Sequence, residues 1–192
     1  MIRTNLFVQV ALACVTTAYL THEVSEAFIF LSAVLFHEAG HLITAKLLRV
    51  PLLKSTVSPL GIRLIFDFSS TKVTHEILVY LGGSFSGISA ACLVSYLFPD
   101  NIYAAGFCAN SVLLGILNLL PITGIDGGCI VECILSSVCL SDRAYRYSRA
   151  ISSVTVILFW ILASRIQLRH SSNLTLNLMA TLLIYRELKA EA

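Results

Sequence analysis

The 192-residue chain is 57% hydrophobic and only 12% charged, where an ordinary soluble domain is about 45–50% apolar and about 25% charged. Polar groups are too few to cover a water-facing surface, and the mean hydropathy is +0.84, which excludes a cytosolic enzyme, a disulfide-stapled secreted domain and a disordered segment in favour of an integral membrane protein. The net charge of +2 comes from 13 basic and 11 acidic residues with no long basic run, so there is no footprint for nucleic acid.

In chain order, the first expected span is Thr4–Thr21, an uncharged run of 18 residues. A signal peptide is the competing reading, disfavoured because the run is long and no small-x-small cleavage site precedes His22. Ala27–Leu48 follows as one helix that carries His37, Glu38 and His41 at membrane depth. Pro51–Phe68 differs in kind: β-branched and aromatic residues surround Pro59 and Gly61, the pattern of a short hairpin. Ile77–Pro99 and Asn101–Ile125 are uncharged for 23 and 25 residues, against the roughly 20 that cross a hydrocarbon core. Ala150–Ser164 and Ser171–Tyr185 are 15-residue runs that snorkelling Arg165 and Arg186 extend. The expectation is an all-α polytopic membrane protein with about six transmembrane helices, a short β-hairpin between the second and third, and one membrane-embedded domain over residues 1–192. The six cysteines lie in apolar stretches without a C-x-x-C pair and read as small packing residues.

Loop charge sets the orientation. Lys46, Arg49, Lys54, Arg63 and Lys72 follow the second span, and Arg143, Arg146 and Arg149 follow the fourth. The alternate loops hold Glu23, Glu26 and Asp100. Basic loops stay cytoplasmic, which puts the N-terminus inside, although Arg165 and Arg169 in the last loop oppose the assignment.

His37-Glu38-Ala39-Gly40-His41 is an H-E-x-x-H motif. Histidines four apart project from one helix face and can reach one tetrahedral Zn²⁺, while Glu38 lies at the flank, placed to take a proton from the attacking water. Ionisable groups facing lipid to no purpose would cost about 2.5–3.5 kcal/mol each. The competing reading is a helix end at the cytoplasmic interface with solvated histidines. A catalytic zinc normally has three protein ligands. Asp126 closes a long uncharged run just after Pro121 breaks the fourth helix, and Gly127 and Gly128 let the backbone turn it inward. Asp126 is therefore the expected third ligand; its alternative is to cap a helix over Gly127–Leu140.

An H-E-x-x-H inside a span, followed about eighty residues later by N-x-x-P-x-x-x-x-D-G (Asn118 to Gly127), resembles the site-2 protease family of intramembrane zinc metalloproteases. The spacing, the short chain and the six-span plan are most similar to the sporulation branch that processes pro-sigma-K. The resemblance runs from the first span to about Leu140. It implies zinc ligands His37, His41 and Asp126, catalytic base Glu38, and Asn118 near the active site, positioning substrate or the oxyanion. Asn118 has an independent reading as a helix-bridging amide. The chain departs from the family at Gly82-Gly83-Ser84-Phe85-Ser86-Gly87, where a small-residue motif usually carries Pro and often Asn, and at Ile125, where Leu is common. It also ends at Ala192, so the C-terminal nucleotide-sensing domain of some sporulation relatives is not expected.

The expected activity is hydrolysis of a peptide bond in or next to a transmembrane segment, the resemblance suggesting a sporulation sigma-factor precursor as substrate. The active site would open toward the cytoplasm. Expected partners are a transmembrane or membrane-associated protein substrate, the lipid bilayer and a membrane inhibitor or regulator. Two rivals use the same residues: a catalytically silent membrane adaptor, and a metal transporter with His37, His41 and Asp126 as a transit site. Transport would call for a second charged stepping stone, which spans one, three and five do not supply.

Overall fold

The computed structural model describes residues 24–58, 61–169, 180, 181, 183–185 and 187. The expected first span, Thr4–Thr21, and most of Ser171–Tyr185 lie outside them. The chain divides into two compact units, separated in sequence between Asn118 and Leu119.

The first unit opens with helix α1, Val24–Leu47, the expected H-E-x-x-H helix. Glu26 in its first turn and Lys46 in its last both complement the helix dipole. The helix closes on Arg49 in the left-handed region (φ 56°), where the Val50 N–H donates to Ala45 C=O at 2.8 Å, and Pro51 then prevents any continuation. Strands β1 (Leu52–Ser58) and β2 (Gly61–Phe66) form the expected antiparallel hairpin. Its register runs from Leu52 opposite Phe66 to Ser58 opposite Gly61, with an irregularity between Leu52 and Lys54. Phe66 at its base is buried with Ala45, Val50 and Val79, which ties the hairpin to α1 and to the next helix. At the exit Asp67 accepts bonds from the Ser69 hydroxyl (2.6 Å) and N–H (3.0 Å), and these hold its carboxyl below the usual carboxylate range.

Helix α2 is Val73–Leu97 and α3 is Ile102–Asn118. Asn101 caps α3, its Oδ1 accepting from the N–H groups of Tyr103 (2.9 Å) and Ala104 (3.2 Å). The fourth span is broken near Pro121, as expected. The uncharged run Asn101–Ile125 is helical only to Asn118, because the residue before Pro121 is pushed out of helical backbone. Residues Leu119–Ile125 instead form a tight irregular turn.

That turn begins the second unit. Helix α4 is Asp126–Val138 and α5 is Ser141–Arg169; residues 180, 181, 183–185 and 187 are also helical. Ile122 from the turn packs with Val156 and Leu183, flanked by Leu120, Ile125, Phe159 and Ile184. The fifth expected span is longer than its uncharged run. Arg143, Arg146 and Arg149, read from the sequence as loop charges, lie within α5, and Arg149 faces Glu187 across an ion pair of 3.4 Å.

Packing follows membrane logic. Small and polar residues are buried at four-residue intervals: Ala33, His37, His41 and Ala45 on α1, Val79, Gly83, Gly87 and Ala91 on α2, Ala144, Ser148, Ser152 and Val156 on α5. Large apolar side chains face outward instead, including Phe28 (64% exposed), Phe85 (75%) and Leu158 (61%). Water penalises such outward groups and lipid does not, and small residues let helices approach closely. Among the described residues three helices are long and apolar enough to cross a membrane, Ser25–Leu47, Val73–Leu97 and Asp142–Leu168, while Ile102–Asn118 is shorter. An integral membrane protein is what this arrangement describes.

Candidate metal centre

The site is built on the buried stripe of α1. His37 and His41, four residues apart, fall on one face and are 3% and 5% exposed. Their rings meet edge to face, centroids 4.9 Å apart, and the two Nε2 atoms stand 3.2 Å from each other. Two nitrogens bound to one tetrahedral zinc at its usual bond length are about 3.3 Å apart, so the pair already has the spacing of two ligands of one ion.

The hydrogen bonds decide which nitrogen of His41 is free to donate its lone pair. His41 Nδ1 lies 2.8 Å from the Val79 carbonyl. A carbonyl only accepts, so Nδ1 carries the proton and Nε2 presents a lone pair toward His37. Orientation of a metal-binding histidine by a backbone carbonyl is a recurrent feature of zinc sites.

Helix α2 supplies the space. A Cβ at Gly83 would strike His41 Nε2 and come within 2.8 Å of His37 Nε2. Any other residue there would occupy the position that the two Nε2 atoms face. Next to it, a Cβ at Gly40 would strike the Gly82 carbonyl, and one at Gly82 would strike Thr44 Oγ1, so α1 and α2 cross with backbones nearly touching. Ser86 Oγ donates to the Phe36 carbonyl (3.0 Å) and Ser84 Oγ to the Gly115 carbonyl (3.0 Å), fastening α2 to both neighbours. The Gly82–Gly87 segment thus permits a close helix crossing without Pro or Asn, and the place of Gly83 against the two rings is one that sequence reasoning missed. A Gly-Gly pair within the small-residue run was the available signal.

Asn118, at the C-terminal end of α3, puts its Nδ2 3.2 Å from His37 Nε2. It is therefore at the histidine pair and also joins α3 to α1, a placement that suits both of its readings. Glu38, next to His37, is half-buried. These four residues share the first unit.

Asp126 belongs to the second. It is the first residue of α4, and the helix cap is Ile125, with extended backbone and no side-chain cap bond. The alternative expectation, Asp126 as the capping residue of this helix, is corrected on that point, although a carboxylate in the first turn still suits the dipole. Gly127 and Gly128 are buried, and a Cβ on either would strike the Leu119, Leu120 or Ile122 carbonyls; only glycine lets α4 start so close to the preceding turn. Half-buried Asp126 is held at that junction.

No family model and no curated protein matches the chain. Among solved structures it is similar to a Site-2 Protease from Methanocaldococcus jannaschii, with a TM-score of 0.65 over 95% of this chain and 86% of that one, at 19% sequence identity. The likeness is one of fold.

Proposed function

We propose that the chain is an intramembrane zinc metalloprotease that hydrolyses a peptide bond in or next to a transmembrane segment of a membrane-associated protein. The observation that carries this reading is the buried His37/His41 pair. Its facing Nε2 atoms are spaced as ligands of one ion, and the pair sits within a helix able to span a membrane. The fold likeness to a site-2 protease supports it. His37, His41 and Asp126 offer the nitrogen and carboxylate donors of a catalytic zinc, and both units are read as parts of one membrane-embedded protease domain. The finer assignment, to the branch that acts on pro-sigma-K, rests on the motif spacing.

Zinc so held supplies a Lewis acid that polarises the scissile carbonyl and makes water nucleophilic near neutral pH. Glu38 accepts the proton of the attacking water and returns it to the leaving amine. The Asn118 amide, beside His37, donates to the developing oxyanion. His41 keeps its proton on Nδ1 throughout, bonded to the Val79 carbonyl, so its Nε2 never has to lose one. A helical substrate hides its carbonyls in i to i−4 bonds and must unwind locally; the hairpin edge is suited to receive the extended segment. The basic residues around the hairpin support a cytoplasmic position for this end of the site.

The test is cleavage of single-span membrane proteins co-expressed with the chain, alongside zinc content. Glu38→Gln is expected to abolish cleavage, a loss of at least about 100-fold, while zinc stays bound. Cleavage at the parent's rate in that variant would end the assignment of Glu38 as base; zinc uptake without proteolysis in the parent would favour transport instead.

A further inference from the structure

Residues Leu119–Ile125 leave helical geometry within an apolar stretch, where exposed backbone polar groups are costly unless they find partners. Part of the need is met inside the turn, where the Ile122 N–H donates to Leu120 C=O (2.7 Å) and the Ile125 N–H to Ile122 C=O (3.3 Å). Thr123 reaches outside it. Its N–H donates to Ser152 Oγ of α5 (2.9 Å) and its hydroxyl to Glu187 Oε2 (2.7 Å). Glu187 in turn pairs with Arg149 Nη1 (3.4 Å), and Arg149 Nη2 donates to the Glu187 carbonyl (3.2 Å). Ser152 is fully buried and Glu187 is 7% exposed.

The proton positions in this chain are forced. An ionised carboxylate only accepts, so the Thr123 hydroxyl proton points at Glu187. The Thr123 oxygen is then the acceptor in its 3.1 Å contact with Ser152 Oγ. Ser152 gives its proton to Thr123 and takes the Thr123 N–H on its own oxygen. A buried ion pair is a poor source of net stability, because desolvation offsets the attraction. What this one confers is a single geometry for Thr123. Three residues on stands Asp126, and between them Gly124 sits at φ 80°. The near contacts of Gly127 and Gly128 with the same turn fix the other side.

We infer that Glu187, acting through Thr123, is a positioning residue for the Asp126 carboxylate, with Ser152 and Arg149 holding Thr123 and Glu187 in place. The inference rests on Asp126 as a zinc ligand. Partners that orient a metal ligand change metal affinity by about 10–100-fold when removed. The full-length protein is purified in detergent, its Zn²⁺ dissociation constant measured by chelator competition, and its visible absorption recorded with Co²⁺ in place of zinc. Thr123→Val keeps the shape and removes the hydroxyl; Thr123→Ser keeps the hydroxyl. Thr123→Val and Glu187→Ala are expected to weaken Zn²⁺ binding about tenfold and to alter the Co²⁺ band. Thr123→Ser is expected to keep the parent's affinity and band, a rescue that packing alone does not predict. Should Glu187→Ala fail to fold, Thr123→Val against Thr123→Ser decides, with Ser152→Ala as the same test from α5. Parental affinity and band in Thr123→Val, while Asp126→Ala has lost zinc, would overturn the inference and leave Asp126 as a ligand. Parental zinc binding by Asp126→Ala would remove that ligand and the inference with it.

Discussion

His41 is held to one tautomer by a backbone carbonyl that can only accept its Nδ1 proton, and this fixes the direction of the remaining lone pair. The same economy applies at Gly83, where the missing side chain leaves space in front of both rings. A methyl group there would strike His41 Nε2 and crowd His37 Nε2, and neither ring can withdraw without losing its place on the buried stripe of α1. Gly83→Ala is therefore expected to lower zinc affinity at least about tenfold. The measurement is zinc per chain after dialysis against a weak chelator; a parental zinc content would mean that the space in front of the rings is not the metal's position. Nothing in the H-E-x-x-H pattern points to Gly83, because the pattern describes one helix and the obstruction would come from another.

At the scale of elements, two of the contacts that hold α1 on α2 differ in magnitude. The Ser86 hydroxyl bond to the Phe36 carbonyl resembles interhelical hydrogen bonds in membranes, which average about 0.6 kcal/mol. The Gly40–Gly82 crossing leaves no room for a Cβ, and forcing extra volume into a packed contact costs about 1–3 kcal/mol. Packing should win. Gly40→Ala is expected to lower stability by clearly more than Ser86→Ala in a bilayer-mimetic unfolding measurement, and the reverse order would show that the crossing can relax. The elements themselves were legible to different degrees. The hairpin announced itself through Pro59 and Gly61 among β-branched and aromatic residues, and the end of α3 through Pro121. The true extent of α5 did not, because Arg149 reads as a loop charge until its partner Glu187, 38 residues away, is in view. Hydropathy registers where a charge lies along the chain and is blind to what neutralises it.

For the whole molecule, composition alone identified a membrane protein, and the structure explains how it meets that solvent: small and polar residues inside, large apolar ones outside. The two motifs that carry the proposed chemistry were visible because metal ligation restricts residue type and spacing within short segments. The network behind Asp126 was not, since Thr123, Ser152 and Glu187 are ordinary residues joined only by the fold. The central claim is that one zinc ion is shared by His37, His41 and Asp126, and zinc-edge X-ray absorption on the purified protein tests it most directly. The account predicts about one zinc per chain, with two imidazole nitrogens and a carboxylate oxygen at about 2.0–2.2 Å, and loss of the oxygen contribution in Asp126→Ala. A protein that holds no zinc, or a spectrum unchanged by Asp126→Ala and His37→Ala alike, would contradict it.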